Sequence, residues 1–93
     1  MGDKKTRVLI IEHNVEYSSM LKMVLSKSDD VKFDVTLHNN LQSALSELEN
    51  NNIDLLLLDL DLPDSSGLDT FNKISESASS LPVIILTGND DGN

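Results

Sequence analysis

The chain has 93 residues, enough for one domain and too few for two, which excludes a barrel enzyme or a two-domain dehydrogenase. Its hydrophobic residues make up 39% of the chain and are chiefly Leu, Ile and Val, with 2 Phe, 1 Tyr and no Trp, so an aliphatic core is available and disorder is not expected. With 7 Lys and Arg against 16 Asp and Glu, a formal charge of -9 argues against direct nucleic-acid binding, and the absence of Cys removes disulfides, thiolate metal sites and cysteine nucleophiles.

No apolar run is long enough to cross a bilayer and the amino terminus lacks a signal-peptide hydrophobic segment, so no membrane partner is expected and a cytoplasmic location is compatible. Val8-Leu9-Ile10-Ile11 stops abruptly at Glu12-His13-Asn14, as a strand covered on both faces ends in a polar loop. From Val15 to about Ser28, Tyr17, Met20, Leu21, Val24 and Leu25 recur at helical spacing, with Asn14 placed to cap the helix. Phe33, Val35 and Leu37 alternate with polar residues, which suits an edge strand. Asn39 and Asn40 then offer caps to a second helix whose stripe is Leu41, Ala44, Leu45 and Leu48, ending at Asn50-Asn51-Asn52.

Ile53 to Leu58 is almost wholly apolar and closes at Asp59, the pattern of a central strand. Pro63 to Gly67 reads as a loop, after which Leu68, Phe71, Ile74 and Ala78 resume helical spacing until the Ser-rich stretch 75–80. Pro82 to Thr87 reads as a fourth buried strand. Strands joined by single helices pair in parallel through right-handed crossovers, giving an α/β fold with an open parallel sheet and helices on both faces. Sites in such sheets form at the carboxyl ends of the strands, where Glu12, His13, Asp59 and Thr87 stand.

Glu12 and Asp59 match the one or two carboxylates that a hard dication takes, and equally match acidic residues that merely end strands and cap the next helix. Asp59 is the sharper candidate, because a carboxylate at the mouth of a buried strand can accept a phosphoryl group as an acyl phosphate. Thr87 offers a hydroxyl to the transferred group, or is an ordinary strand residue. His13 is a ligand, a base or a surface residue, and the surface reading leads; His38 is expected to be structural or solvated. No GxGxxG, GxxxxGK[ST] or GxSxG motif is present.

The segments Val8 to Asn14, Asp54 to Leu68 and Pro82 to Gly88 together resemble the receiver domain of two-component response regulators. The resemblance implies a flavodoxin-like sheet of order 2-1-3-4, with residues 1–93 forming a single receiver domain that stops before the family's fifth strand and last helices. It implies that Asp59 is the phosphoacceptor, supplied by a histidine kinase or phosphotransfer protein, and that the signal passes to a downstream output domain or protein. Glu12 occupies the first of the family's paired acidic positions, the backbone carbonyl of Asp61 completes the shell of a Mg²⁺ or Mn²⁺ ion, and Thr87 is the switch hydroxyl beside the small Gly88.

Two departures accompany it. The family's second acidic position, normally a metal ligand, is His13, so affinity for Mg²⁺ is expected to fall or to shift towards softer ions. The Lys of the fifth strand has no counterpart, since no Lys or Arg follows Lys73, which implies little phosphorylation of these residues on their own. An exposed fourth strand is then an edge available for self-association. A receiver is a signalling module, not a dedicated enzyme. The alternative is a degenerate receiver that keeps the fold as an interaction module independent of phosphate; a flavin binder is disfavoured by the lack of aromatic residues and of a phosphate loop.

Overall fold

The computed structural model describes residues 5–86, so Thr87 and Gly88, the expected switch hydroxyl and its neighbour, lie outside the described residues. Strand β1 (Thr6–Ile11), helix α1 (Val15–Ser26), strand β2 (Phe33–His38), helix α2 (Leu41–Asn50) and strand β3 (Leu55–Asp59) follow the order expected from the apolar periods. After them come two short strands, β4 (Asp61–Leu62) and β5 (Ser65–Ser66), then helix α3 (Leu68–Ser77) and strand β6 (Val83–Leu86). The main sheet has the order β2-β1-β3-β6 with every neighbour parallel, which is the expected 2-1-3-4 arrangement.

The two faces of the sheet are covered unequally. Side chains alternate along a strand, so Leu9, Ile11, Leu56 and Leu58 share one face, where they pack with Leu41 and Ala44 of α2 and Ile74 of α3. Val8, Ile10 and Leu57 point to the other face and meet Leu21 and Leu25 of α1. The burial of β1 and β3 on both faces explains why their sequences are continuous apolar runs.

Three expectations are corrected. The stripe of α1 is narrower than its spacing suggests: Leu21 and Leu25 face the sheet beside buried Ser18, while Met20 and Val24 are 47% and 60% exposed. In α3 the buried positions are Thr70 and Ile74, whereas Leu68 at the first turn is exposed. The fourth strand, whose apolar run read as buried, is instead half-open, in keeping with the exposed edge also expected of it: Ile84 and Ile85 are 50% and 39% exposed because β6 is the sheet's edge among the described residues.

The segment after β3 also has more structure than a loop. Asp61 and Leu62 pair antiparallel with Ser66 and Ser65, leaving Pro63 and Asp64 as the turn between them. Gly67 closes this hairpin at φ 63 and ψ -146, a conformation nearly restricted to glycine.

Candidate functional site

Glu12 is placed by the end of β1. Its backbone N–H donates to the His38 carbonyl at 3.0 Å, continuing the β1–β2 ladder one residue past the strand, and its Oε2 accepts from the Asn14 N–H at 3.1 Å. Asn14 in turn accepts from the Tyr17 N–H at 2.9 Å and caps α1, as its type and position predict. The polar run that ends β1 therefore performs two tasks: it starts the helix and it fixes the Glu12 carboxylate.

Asp59 is the last residue of β3, the neighbour of β1 in the sheet. Its Oδ1 accepts from the Asp61 N–H at 3.0 Å, which holds the carboxylate over the strand end and leaves Oδ2 facing His13 Nδ1 at 3.4 Å. His13 Nδ1 also stands 3.7 Å from Glu12 Oε2. One donor atom from each of Glu12, His13 and Asp59 thus lies within 4.8 Å of the others. The side chains differ in depth: Glu12 and Asp59 are 8% and 9% exposed, and His13 is 56% exposed. His13 therefore stands at the solvent side of the cluster and still turns its Nδ1 inward, where sequence reasoning favoured the surface.

Burial pushes the Glu12 carboxyl above its ordinary value of 4.5; the Asn14 N–H opposes this and the neighbouring Asp59 charge adds to it. Among the described residues, the only basic group within 4.0 Å of either carboxylate is the His13 imidazole. Two buried carboxylates with so little cationic compensation form a donor set that suits a dication. Glu12 and Asp59 would hold it, with His13 as a third donor. A cleft of about 230 Å³ bordered by Glu12, Val15, Leu37 and His38 opens beside them.

The hairpin that carries Asp61 is tied down from several sides. The Leu60 carbonyl accepts from the Gly67 N–H at 2.9 Å and from the Thr70 hydroxyl at 3.0 Å, and Thr70 Oγ1 is also 2.8 Å from Ser65 Oγ. Asp64 accepts from the Leu41 and Gln42 N–H groups at 2.7 and 2.9 Å, so the hairpin's turn caps α2 in addition to Asn40, which accepts from Ser43. Those two N–H donors hold the Asp64 carboxyl below its ordinary value.

Sequence reasoning missed Thr70, Ser65 and Asp64 as supports of this loop. Thr70 lies four residues before Ile74 on the buried face of α3, a helical spacing that contained the signal. Asp64 gave none, since its partners are 23 and 22 residues away. His38, expected to be structural or solvated, is structural: it bonds Ser43 through Nδ1 at 2.9 Å and Glu47 through Nε2 at 3.1 Å, clipping β2 to α2.

A family model described as the response regulator receiver domain matches residues 8–93. This chain belongs to the response regulator receiver family. It is 38% identical over 85 residues to the sensory transduction protein RegX3 of Mycolicibacterium smegmatis, covering 91% of this chain and 36% of that protein. The CheY-like receiver domain protein of Methanospirillum hungatei superposes with a TM-score of 0.80 at 23% identity, covering 95% of this chain and 68% of that one. A chain from the complex of the histidine kinase ThkA with the response regulator TrrA superposes with a TM-score of 0.74 at 26% identity, covering 92% of this chain and 72% of that one. The receiver thus spans little more than a third of its curated relative RegX3. Among its described residues no helix is long and apolar enough to cross a membrane.

Proposed function

We propose that this receiver accepts a phosphoryl group on Asp59 Oδ2 from a histidine kinase or phosphotransfer protein. The observation that carries the reading is the position of Asp59: buried at the end of β3, hydrogen-bonded through Oδ1, and open at Oδ2 towards Glu12 and His13. A phosphorylated histidine loses its N–P bond as Asp59 Oδ2 bonds to phosphorus, forming a mixed anhydride, and the freed imidazole nitrogen takes a proton. Glu12 and Asp59, with the backbone carbonyl of Asp61, would hold a divalent ion, which would supply charge neutralisation to the transferring phosphoryl group. The chain's own part is alignment: Asp61 N–H orients Asp59, Asn14 N–H orients Glu12, and the braced hairpin keeps Asp61 beside the acceptor.

Supply by a kinase is supported by family membership and by the similarity to a chain of the ThkA–TrrA complex. Thr87 follows β6 directly and serves as the switch hydroxyl through which the signal reaches an output domain or protein. On this reading the chain is a cytoplasmic signalling module and not a dedicated enzyme, with no direct nucleic-acid contact.

The competing reading, an interaction module that phosphate does not switch, draws on His13, which replaces a carboxylate with a neutral or positive ring. Borohydride trapping separates the two. Reduction of an aspartyl phosphate gives homoserine, so treatment with a phosphorylated donor and a divalent ion, then borohydride, converts position 59 to homoserine. An unchanged Asp59 peptide under saturating donor favours the interaction module.

A further inference from the structure

We infer that His13 turns this site towards Zn²⁺, bound in preference to Mg²⁺. The inference rests on reading Glu12 and Asp59 as the metal-holding carboxylates of the receiver.

The donor set is one imidazole nitrogen and two carboxylate oxygens. Imidazole bonds well to Zn²⁺ and other borderline ions and poorly to Mg²⁺, which prefers oxygen and keeps much of its water. The geometry agrees. Ligands at about 2.0–2.1 Å from a tetrahedral ion lie about 3.3 Å from one another. His13 Nδ1 is 3.4 Å from Asp59 Oδ2 and 3.7 Å from Glu12 Oε2, so small side-chain adjustments bring the donors onto such an ion. Asn14 N–H holds Glu12 and Asp61 N–H holds Asp59 at the rim of the cluster, and the two carboxylate oxygens, within 4.8 Å of each other, draw together as they close on the ion. His13, 56% exposed at the solvent side, completes the set.

A second imidazole with a carboxylate partner, His38 with Glu47, is satisfied by Ser43 and Glu47 and stands as an internal control. The test compares the full chain with His13→Asp, His13→Gln and His38→Gln, each first shown to be folded by circular dichroism. Zn²⁺ affinity is read by competition with a chromophoric chelator, Mn²⁺ by electron paramagnetic resonance, Mg²⁺ by calorimetry, and the ligating ring by nitrogen chemical shifts of the histidines. The expected result is Zn²⁺ binding at least tenfold tighter than either Mn²⁺ or Mg²⁺, with Zn²⁺ shifting the His13 Nδ1 resonance. His13→Asp then weakens Zn²⁺ tenfold or more and tightens Mg²⁺, His13→Gln weakens Zn²⁺ alone, and His38→Gln changes nothing. Zn²⁺ affinity that survives both His13 variants, or that disappears with His38→Gln, overturns the inference. Failure of the phosphoacceptor reading looks different: His13-dependent Zn²⁺ binding with no modification of Asp59 under any metal removes that reading and keeps this one. Phosphorylation in Mg²⁺ that ignores His13 does the reverse.

Discussion

Replacing Asp59 by Asn should stabilise the metal-free fold even as it removes the acceptor. Glu12 and Asp59 place donor oxygens within 4.8 Å of each other in a buried setting. At that separation two unit charges repel by about 1 kcal/mol in water and by about 3.5 kcal/mol at an effective dielectric of about 20. Asn keeps the Oδ1 that accepts from Asp61 N–H and adds a neutral N–H₂ that can donate to Glu12. The expected gain is therefore about 1–3 kcal/mol at pH 8 in a chelator, a rise of roughly 1 M in the urea midpoint at m of about 1–2 kcal/mol/M.

The pH dependence has a definite sign. Because the fold raises the Glu12 carboxyl above 4.5, the folded state binds a proton more readily than the unfolded state. The stability associated with that proton is fully present below 4.5 and is lost as pH rises through the raised folded value. The advantage of Asp59→Asn should accordingly shrink towards zero as the pH falls below 4.5. Urea titrations of both proteins at pH 8 and pH 4 supply the measurement. A saturating dication at about 100 times its Kd should stabilise the wild type alone, by about 2.7 kcal/mol. Equal stability of the two proteins in chelator at pH 8, or a gain that persists at pH 4, would refute the repulsion argument.

Thr70→Val keeps the shape of a fully buried side chain and removes the hydroxyl that ties Leu60 to Ser65, so urea unfolding should show a loss of about 1–2 kcal/mol, and amides of residues 60–67 should exchange faster. Asp64→Ala should lower the urea midpoint at pH 7; because the folded carboxyl sits below 3.8, that contribution is present above 3.8 and disappears as pH falls through the lowered value, so wild type and variant should converge in acid.

Much of this fold was legible because its signals are local. Continuous apolar runs marked β1 and β3, the Leu41, Ala44, Leu45 and Leu48 spacing marked α2, and Asn14 and Asn40 cap the helices their positions suggested. Glu12 and Asp59 were found because parallel strands end on one side of the sheet, so topology alone brings them together. What escaped depended on distant partners. Met20 and Val24 fit the helical period of α1, yet which part of an apolar stripe is buried depends on what packs against it. The bracing of the hairpin by Asp64 and Thr70 joins residues from three separate segments, and no spacing within one segment encodes it. His13 was read first as a surface residue and second as a ligand, and its ring is indeed 56% exposed; the direction of its Nδ1, towards carboxylates on β3 and at the end of β1, was not encoded in its neighbours along the chain.

The most direct test of the account is the intact mass of wild type and Asp59→Asn after prolonged incubation with a divalent ion and a small acyl-phosphate donor. The account predicts one added phosphoryl group on the wild type, at whatever rate, and none on the variant. Addition to both proteins alike, or to neither with saturating donor and metal, would contradict Asp59 as the acceptor in this chain.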